Sequence, residues 1–290
     1  MKYEGPIIRP PSEAESLLLQ VTVGCSHNRC IFCSSFKDKR FRIKALAEIE
    51  EDIREAACYP WVERVFLCDG DALIIPQQRL LKILELIRTH LPSVKRIGLY
   101  GNAKSIRKKS VAELISLRER GLGIIYLGVE TGNEELLRLI HKGAGYDEMV
   151  DAGRRVKEAG ICLSVTVLLG IGGRDRSTAH AEDTGRILTD MDPDYVGALT
   201  VMVIPGTPLH DAASRGAFAL PDRFGLLREL ETIISASDFT DCFFASNHAS
   251  NYLPIRANLP REKDRILAFI RRVVEERRDD VLRSELLRAL

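Results

Sequence analysis

The chain has 290 residues, of which 45% are hydrophobic, and this is enough for the core of one large domain or two small ones. Its 42 Lys and Arg side chains nearly balance its 41 Asp and Glu side chains, so bulk electrostatics do not favour nucleic acid or a membrane surface as the main partner. No apolar run approaches the roughly 20 residues that span a bilayer, and the N-terminal residues lack the apolar core of a signal peptide. These features predict an ordinary globular protein of the cytoplasm.

The sequence predicts an N-terminal arm followed by a regular alternation of strands and helices. Residues 1–15 contain three prolines and no periodicity, which indicates an extended N-terminal arm. Short apolar runs then predict six strands, at residues 17–23, 62–68, 94–100, 124–129, 161–168 and 195–204. Segments with helical periodicity predict helices between them, at residues 45–59, 77–91, 111–120, 147–159 and 179–191.

Alternating strands and helices are typical of parallel βα units. Six units are too few for a closed eight-stranded barrel, so the sequence predicts an α/β fold with a partial (βα)6 TIM-like barrel over residues 16–210. A doubly wound sheet is the alternative architecture. The C-terminal segment, residues 211–290, is expected to close the barrel and to contribute to the substrate site. Its predicted elements are a helix at 221–236, a short strand at 239–244, a polar loop at 246–260 and an amphipathic helix at 260–278.

Polar and glycine-rich segments follow the predicted strands. In both architectures the functional residues lie at the C-terminal ends of the strands, so these segments are expected to meet at one rim. In chain order they are residues 25–33, Asp69-Gly70-Asp71, Gly101-Asn102, Glu130-Thr131-Gly132, residues 170–173 and residues 205–208.

Three of the seven cysteines, Cys25, Cys30 and Cys33, form the pattern C-x4-C-x2-C after the first strand. An odd number of cysteines with one tight cluster and no export signal favours metal or redox chemistry in a reducing compartment over a disulfide framework. Three thiolates can hold three irons of a [4Fe–4S] cluster and leave the fourth iron open to another ligand. Two alternatives are three unrelated core thiols and a zinc site in which His27 is the fourth ligand, although its closeness to Cys25 makes that chelate awkward.

With these motifs in this order, the chain resembles the radical S-adenosylmethionine (SAM) superfamily, especially the coproporphyrinogen dehydrogenases and the elongator-type radical SAM domains. The resemblance covers roughly residues 16–210. Phe32 matches the aromatic residue that the family places before its last cysteine, but the family spacing is C-x3-C-x2-C, so this chain has one more residue between Cys25 and Cys30. The resemblance implies that SAM binds the open iron and is cleaved to a 5′-deoxyadenosyl radical, which takes a hydrogen atom from a substrate.

The resemblance also implies which residues contact SAM. They are Phe32, Asp69, Gly70, Asp71, Glu130, Thr131, Lys142, Leu168 and Gly170. Residues 69–71 occupy the place of the family stretch that contacts the SAM amino group, Glu130 would bind another polar part, and the turn at Gly170 would pass beneath the adenine. The alternatives are a plain βα turn at residues 69–71 and a helix cap at Thr131 or Asn133.

Position in the chain alone adds four further candidates. Tyr100 and Asn102 end the third strand at the same rim and could meet the methionyl or ribose part of SAM, although a tyrosine at a strand end is also common at the edge of a core. The polar loop from residue 246 onward is the better substrate-side candidate, because long polar loops on rigid scaffolds often carry function. In that loop we single out His248 and Arg256 as candidate catalytic residues on the substrate side.

The sequence therefore predicts a radical SAM enzyme with one [4Fe–4S] cluster, acting on a small molecule or a peptide. SAM, this substrate and an electron donor such as flavodoxin or ferredoxin are the expected partners, and a membrane is not. Modification of RNA is an alternative within the enzyme class, so nucleic acid is a disfavoured but open partner. A non-catalytic iron–sulfur protein that transfers electrons or senses redox state is the alternative from another class.

Overall fold

The computed structural model describes residues 1–288 and contains strands and helices in regular alternation. The strands are β1 Leu17–Gln20, β2 Thr22–Val23, β3 Arg42–Ile43, β4 Arg64–Cys68, β5 Arg96–Tyr100, β6 Leu122–Glu130, β7 Cys162–Leu169, β8 Tyr195–Thr200, β9 Cys242–Ala245 and β10 Arg256–Leu259. The helices are α1 Leu46–Ala56, α2 Gln77–His90, α3 Ala103–Arg107, α4 Val111–Arg118, α5 Glu134–Leu139, α6 Tyr146–Glu158, α7 Ser177–Met191, α8 Pro208–Ser214, α9 Arg223–Ser235 and α10 Lys263–Glu275.

Eight strands hydrogen-bond into one sheet in the order β1-β4-β5-β6-β7-β8-β9-β10. Neighbours from β1 to β6 pair in parallel, as do β7, β8 and β9, whereas β10 pairs antiparallel with β9. The predicted α/β fold with a parallel sheet is therefore confirmed. The C-terminal ends of the parallel strands lie at one edge of the sheet, which is where the predicted functional segments follow.

The chain divides into two compact units. The first contains residues 1–28, 35–127 and 151–163, and the second contains residues 29–34, 128–150 and the chain from Ser164 onward. Each unit has its own apolar core and is described by itself.

The core of the first unit lies around β4, whose residues Val65, Phe66, Leu67 and Cys68 are all fully buried. This continuous apolar run is typical of a parallel strand that is covered on both faces. Helices α1 and α2 bury one apolar stripe each. The fully buried members of these stripes are Ile49, Ile53, Leu80, Ile83, Leu84 and Ile87. Their spacing follows the helical period, which explains why both helices could be predicted.

The N-terminal arm is docked on the first unit. The Lys2 amide donates to Asp52 Oδ1 at 2.8 Å, and the Glu4 amide donates to Gln20 Oε1 at 2.8 Å. The Tyr3 hydroxyl donates to the Leu18 carbonyl at 2.7 Å. These bonds to α1 and β1 give the extended arm a defined path.

The second unit packs α7 and α9 as neighbours, with α10 against α9. Val165 and Val167 of β7 are fully buried, and α10 buries Ile266, Ile270 and Val273 on one face. The amphipathic helix predicted near the C-terminus is therefore present, over the shorter span Lys263–Glu275. In the described part of the chain, no helix is both long and apolar enough to cross a membrane.

Some predicted element boundaries were wrong. The first predicted strand, 17–23, divides into β1 and β2, and β2 pairs antiparallel with β3 in a separate two-stranded sheet. The loop predicted at 246–260 contains β10, whose four residues are too few to show a periodicity. Helices α3, α5 and α8 were not predicted for the same reason, since they have five to seven residues each.

Candidate functional site

The cysteine loop lies between β2 and β3, after the first strand of the main sheet. Cys25, Cys30 and Cys33 are all partly exposed, and none of the cysteines within residues 1–288 forms a disulfide. Cys25 belongs to the first unit, and Cys30 and Cys33 belong to the second.

The Cys25 side of the loop is held by residues 69–71. The Gly24 amide donates to Asp69 Oδ2 at 3.1 Å, and the Ser26 hydroxyl donates to Asp71 Oδ2. Between these two contacts, a Cβ atom added to Gly70 would stand 3.0 Å from Cys25 Cβ and 2.7 Å from Phe36 Cε2. Glycine at position 70 therefore allows the two segments to approach closely.

Asn28, which lies in the four-residue spacer between Cys25 and Cys30, has a φ of 43°. This left-handed conformation is uncommon outside glycine, and asparagine is one of the residues that adopts it most readily. The Asn28 side-chain amide donates to the Phe36 carbonyl at 2.7 Å, and Lys37 Nζ donates to the Asn28 carbonyl at 2.9 Å. These bonds give the longer loop a defined conformation.

The segment between Cys30 and Cys33 is anchored in the second unit. The Ile31 amide donates to the Ile140 carbonyl, and the Leu209 amide donates to the Ile31 carbonyl, both at 3.1 Å. Phe32 packs on a buried apolar cluster that includes Leu168. Two residues predicted to contact SAM, Phe32 and Leu168, thus lie in one apolar environment.

The chemistry of these thiols fits an iron–sulfur cluster. Among residues 1–288, no group of three or more His, Cys, Asp or Glu side chains is arranged to hold one metal ion. A [4Fe–4S] cluster binds each of its thiolates to a separate iron. Three partly exposed thiols in one loop, without a disulfide, are the donor set that such a cluster takes.

The Asp69 carboxylate is fully buried, and its partners all belong to the first unit. Its Oδ2 accepts from Gln20 Nε2 at 3.0 Å and from the Gly24 amide at 3.1 Å, and it pairs with Lys39 Nζ at 3.2 Å. Its Oδ1 is buried and has no hydrogen-bond partner. Asp69 thus holds the start of the cysteine loop with one oxygen and keeps the other available.

The Asp71 carboxylate is also fully buried and accepts hydrogen bonds from three residues. Ser105 Oγ donates to Oδ2 at 2.6 Å, Asn102 Nδ2 donates to the same oxygen at 2.7 Å, and Ser26 donates there as well. Burial raises the pKa of Asp71, and the bonds from Ser105, Ser26 and Asn102 oppose that rise. The structure brings together two predicted site residues, Asp71 and Asn102, and adds Ser26 and Ser105.

Tyr100 lies elsewhere in the first unit, in an aromatic cluster. Its ring stands perpendicular to the Phe66 ring at 5.0 Å and is 6.0 Å from the Tyr126 ring. Burial raises the pKa of Tyr100 well above its usual value. These contacts are those of a residue at the edge of a core, which was the alternative interpretation from the sequence.

Glu130 and Lys142 form a largely buried ion pair in the second unit. Lys142 Nζ lies 2.7 Å from Glu130 Oε1, and the two side chains are 13% and 9% exposed, respectively. Glu130 ends β6 with a φ of 68°, an unfavourable conformation for a residue with a side chain, and such strain is often found at functional sites. A Cβ atom at Gly128 would collide with Glu130 Oε1, so glycine is needed there to seat the carboxylate.

Thr131 points into the interior of the second unit, where it is fully buried. Its hydroxyl lies 2.8 Å from His180 Nδ1 and accepts a hydrogen bond from the Asn133 amide at 3.1 Å. Asn133 caps α5 by accepting from the Leu136 amide at 2.9 Å. The helix-cap interpretation of this turn is confirmed for Asn133, whereas the binding of SAM by Glu130 stays a prediction.

Two polar residues that the sequence analysis did not single out, His180 and Glu229, are buried near this turn. Glu229 accepts from the Gly170 amide and from Ser177 Oγ, both at 2.6 Å, and its Oε2 lies 3.9 Å from His180 Nε2. Burial raises the pKa of Glu229 to about 7 and lowers the pKa of His180 to about 4. Their positions on the apolar faces of α9 and α7 were a signal that could have identified them.

Gly170, the predicted residue beneath the adenine, requires glycine for two reasons. Its φ is 81°, and an added Cβ would stand 2.8 Å from Leu220 Cδ2. Its amide is held by Glu229, which also lines a cavity of about 480 Å³ beside α7 and α9 together with Arg174 and Arg228.

The two substrate-side candidates lie in the closing segment of the second unit. His248 Nδ1 is 2.9 Å from Ser250 Oγ, and burial followed by the charge of Arg283 lowers the pKa of His248. The Thr200 amide at the end of β8 donates to Ser250 Oγ at 3.1 Å, which fixes this loop to the strand end. Arg256 is the first residue of β10. In the orientation of the Asn247 amide that satisfies its hydrogen bonding, Asn247 Oδ1 accepts from Arg256 Nη2 at 2.8 Å.

Comparisons with known proteins show which family and fold this chain resembles. The sequence profile of the Radical SAM superfamily matches residues 19–183. The 3-methylornithine synthase of Methanosarcina barkeri is 30% identical over 134 residues, which are 46% of this chain and 35% of that protein.

Solved structures share the fold. The crystal structure of a methylornithine synthase superposes with a TM-score of 0.54 at 22% identity, over 77% of this chain and 63% of the other. Coproporphyrinogen III oxidase of Escherichia coli superposes with a TM-score of 0.55 at 15% identity, over 76% of this chain and 51% of the other. This chain thus spans less than two thirds of the length of each of these relatives.

Proposed function

This chain belongs to the radical SAM superfamily, and from that premise we propose that it binds a [4Fe–4S] cluster through Cys25, Cys30 and Cys33 and cleaves SAM reductively. The observation that carries the proposal is the loop of three partly exposed cysteines after the first strand of a parallel sheet, inside the residues that match the superfamily. A non-catalytic electron carrier has no need of the polar turns that follow the later strands.

The bound cluster would supply the electron that divides SAM into methionine and a 5′-deoxyadenosyl radical, which takes a hydrogen atom from the substrate. The chain's own residues bind and orient SAM. Lys142 holds the Glu130 carboxylate in one direction, toward a polar group of SAM. The Gly170 turn, held by Glu229, offers a close backbone approach to the adenine.

Residues 69–71 contribute to SAM binding through the backbone and through Asp69. The Asp71 oxygens already accept four hydrogen bonds, from Ser26, Ser105 and twice from Asn102. Asp69 Oδ1, by contrast, is a buried acceptor without a partner, which suits the ammonium group of SAM. This favours Asp69 over Asp71 as the acidic contact.

The substrate is a small molecule or a peptide, and it meets the closing segment. The loop with His248 is fixed to the end of β8 through Ser250 and Thr200, so its polar groups are held at the strand end. The pKa of His248 is lowered by burial and by Arg283, so the imidazole is neutral at neutral pH and can accept a proton or a hydrogen bond. Arg256 adds a positive charge to the same segment. A flavodoxin or ferredoxin would supply the electron.

The test is anaerobic reconstitution with iron and sulfide, followed by incubation with SAM and dithionite and detection of 5′-deoxyadenosine by mass spectrometry. We expect about four irons per chain and reductant-dependent formation of 5′-deoxyadenosine. Cys30→Ala should lose both the iron and the product. Cys162→Ala is the matched control, because this exposed thiol lies outside the loop and its loss should leave both unchanged.

Two results would contradict the proposal in different ways. A full cluster without SAM binding or cleavage would favour the electron-transfer alternative. Equal loss of iron in the two cysteine variants would show that the ligand assignment is wrong.

A further inference from the structure

In the first unit, each of residues 69–71 contacts one of residues 24–26: Asp69 contacts Gly24, Gly70 contacts Cys25 and Asp71 contacts Ser26. The Asp69 carboxylate binds the Gly24 amide at 3.1 Å, and the Asp71 carboxylate binds the Ser26 hydroxyl. Gly70 lies opposite Cys25, at a distance that leaves no space for a side chain. The two residues that flank Cys25 are thus each bound by a carboxylate, and Gly70 packs against Cys25 itself.

We infer that residues 69–71 form a clasp that fixes the position of the first cluster cysteine, in which Asp71 is a positioning residue that acts on Cys25 through Ser26. The inference rests on the proposed cluster for its functional meaning. The inference assigns the Asp71 carboxylate to the cysteine loop and not to SAM. It also makes Ser26, a spacer residue of the cysteine motif, the link between Asp71 and Cys25.

The use of Asp71 Oδ2 by three donors supports this assignment. Oδ2 accepts from Ser26, Asn102 Nδ2 and Ser105 Oγ, and Oδ1 accepts from the Asn102 amide at 3.3 Å. A carboxylate has about two acceptor positions on each oxygen, so Oδ2 is fully used and Oδ1 keeps one position. The oxygen that binds the cysteine loop therefore has no position left for a ligand ammonium group.

The clasp is also anchored to a rigid element. Asn102 Oδ1 caps α3 by accepting from the Ser105 amide at 2.9 Å, and Asn102 Nδ2 donates to Ser26 Oγ at 3.1 Å. Ser26 is therefore held by two residues, both of which are fixed by the start of α3. This network ties the loop residue beside Cys25 to the end of β5 and the helix that follows, and it lowers the freedom of the thiol before a cluster is bound.

The network offers a matched pair of variants. Ser26→Ala removes the bond from Asp71 to the cysteine loop, whereas Ser105→Ala removes a bond to the same Asp71 oxygen without touching the loop. Ser26→Thr keeps the hydroxyl and should restore the wild-type behaviour. Gly70→Ala perturbs the clasp independently, because its methyl group would press on Phe36 and Cys25.

The first measurement is hydrogen exchange at residues 24–26 in the iron-free protein. We expect Ser26→Ala to accelerate exchange at least roughly fivefold, the factor for one ordinary hydrogen bond, because it removes the contacts of Ser26 with Asp71 and Asn102. Ser105→Ala should have a clearly smaller effect, because Asp71 keeps its bonds to Ser26 and Asn102. The second is the rate of cluster loss to a chelator and the electron paramagnetic resonance spectrum of the reduced cluster. Ser26→Ala and Gly70→Ala should lose the cluster several-fold faster and show a changed spectrum. Ser26→Thr should match the wild type, and Ser105→Ala should lie much closer to the wild type than Ser26→Ala does.

The outcomes separate the clasp from the proposed cluster. If Ser26→Ala behaves like Ser105→Ala in exchange and in cluster loss, the clasp is refuted even though the cluster forms. If the wild-type protein takes up no iron, the cluster proposal fails, and the exchange data alone decide the clasp. In that case, faster hydrogen exchange at residues 24–26 in Ser26→Ala supports the clasp, and unchanged hydrogen exchange refutes the clasp.

Discussion

Replacement of the buried carboxyl group of Glu229 by an amide should remove a pH dependence of stability. Burial raises the pKa of Glu229 from 4.5 to about 7, although the bonds from Ser177 and the Gly170 amide favour the charged form. Below pH 4.5 the folded and unfolded chains both carry the proton. Between 4.5 and 7 only the folded chain keeps it, so the contribution of Glu229 to stability is lost as the pH rises through this window.

The magnitude follows from the same shift. At about 1.4 kcal/mol for each pH unit, a rise in pKa from 4.5 to about 7 corresponds to roughly 3 kcal/mol. Glu229→Gln does not titrate. Its one amide oxygen can accept from the Gly170 amide, and its amide nitrogen can then donate to the Ser177 hydroxyl. The free energy of unfolding of the wild type, minus that of the variant, should therefore fall by up to this amount between pH 4.5 and pH 7.5. The neighbouring His180 is present in both proteins, so its own titration largely cancels in the difference.

The assay is urea denaturation of both proteins, prepared identically, at half-unit pH steps. Ser177→Ala is an informative second variant, because loss of this donor raises the pKa of folded Glu229 further and should extend the fall in stability to higher pH, while its start near pH 4.5 stays unchanged. If the difference in unfolding free energy between wild type and Glu229→Gln stays constant with pH, the prediction is refuted, because the carboxyl group then has the same pKa in the folded and unfolded states.

Three further substitutions test other parts of the structure. Gly128→Ala would place a methyl group against the ion-paired carboxylate of Glu130, so we expect SAM to bind at least about tenfold more weakly in an equilibrium binding assay, with an unchanged circular dichroism spectrum. Lys44→Met removes the charge that pairs with buried Asp52 at 2.9 Å, and urea denaturation should show a loss of up to about 3 kcal/mol, because the buried carboxylate then keeps only the Lys2 amide and the N-terminal ammonium group 3.9 Å away. Ser110→Ala removes the N-terminal cap of α4, in which the hydroxyl accepts from the Glu113 amide at 3.2 Å, and the same assay should show a loss of about 1 kcal/mol.

Two of these variants have a counterpart that should behave differently. For Lys44→Met the control is Lys82→Met, which removes an exposed lysine 3.8 Å from Glu85 and should change stability by less than about 0.5 kcal/mol. For Gly128→Ala it is Gly197→Ala, in β8, where an added Cβ meets only ordinary contacts. Unaltered SAM binding in Gly128→Ala would show that the Glu130 and Lys142 pair does not face SAM.

The sequence alone determined the features that depend on local pattern. The apolar run of β4 and the helical stripes of α1 and α2 each lie within one segment, so their periodicity could be read directly, and the alternation of elements indicated a parallel sheet. The cysteine loop was identifiable because its three thiols lie within nine residues, from Cys25 to Cys33. The polar turns after the strands could be aligned on one edge because parallel strands share their direction.

Only the tertiary structure decided which side chains meet across the chain. Ser26 and Asp71 are 45 residues apart, Thr131 and His180 are 49 apart, and Gly170 is 59 residues from Glu229. No local periodicity encodes such pairs, because they depend on strand register and on the way helices pack on the sheet. This is why the sequence could place Asp71 at the functional edge but could not tell that its carboxylate is occupied by the cysteine loop.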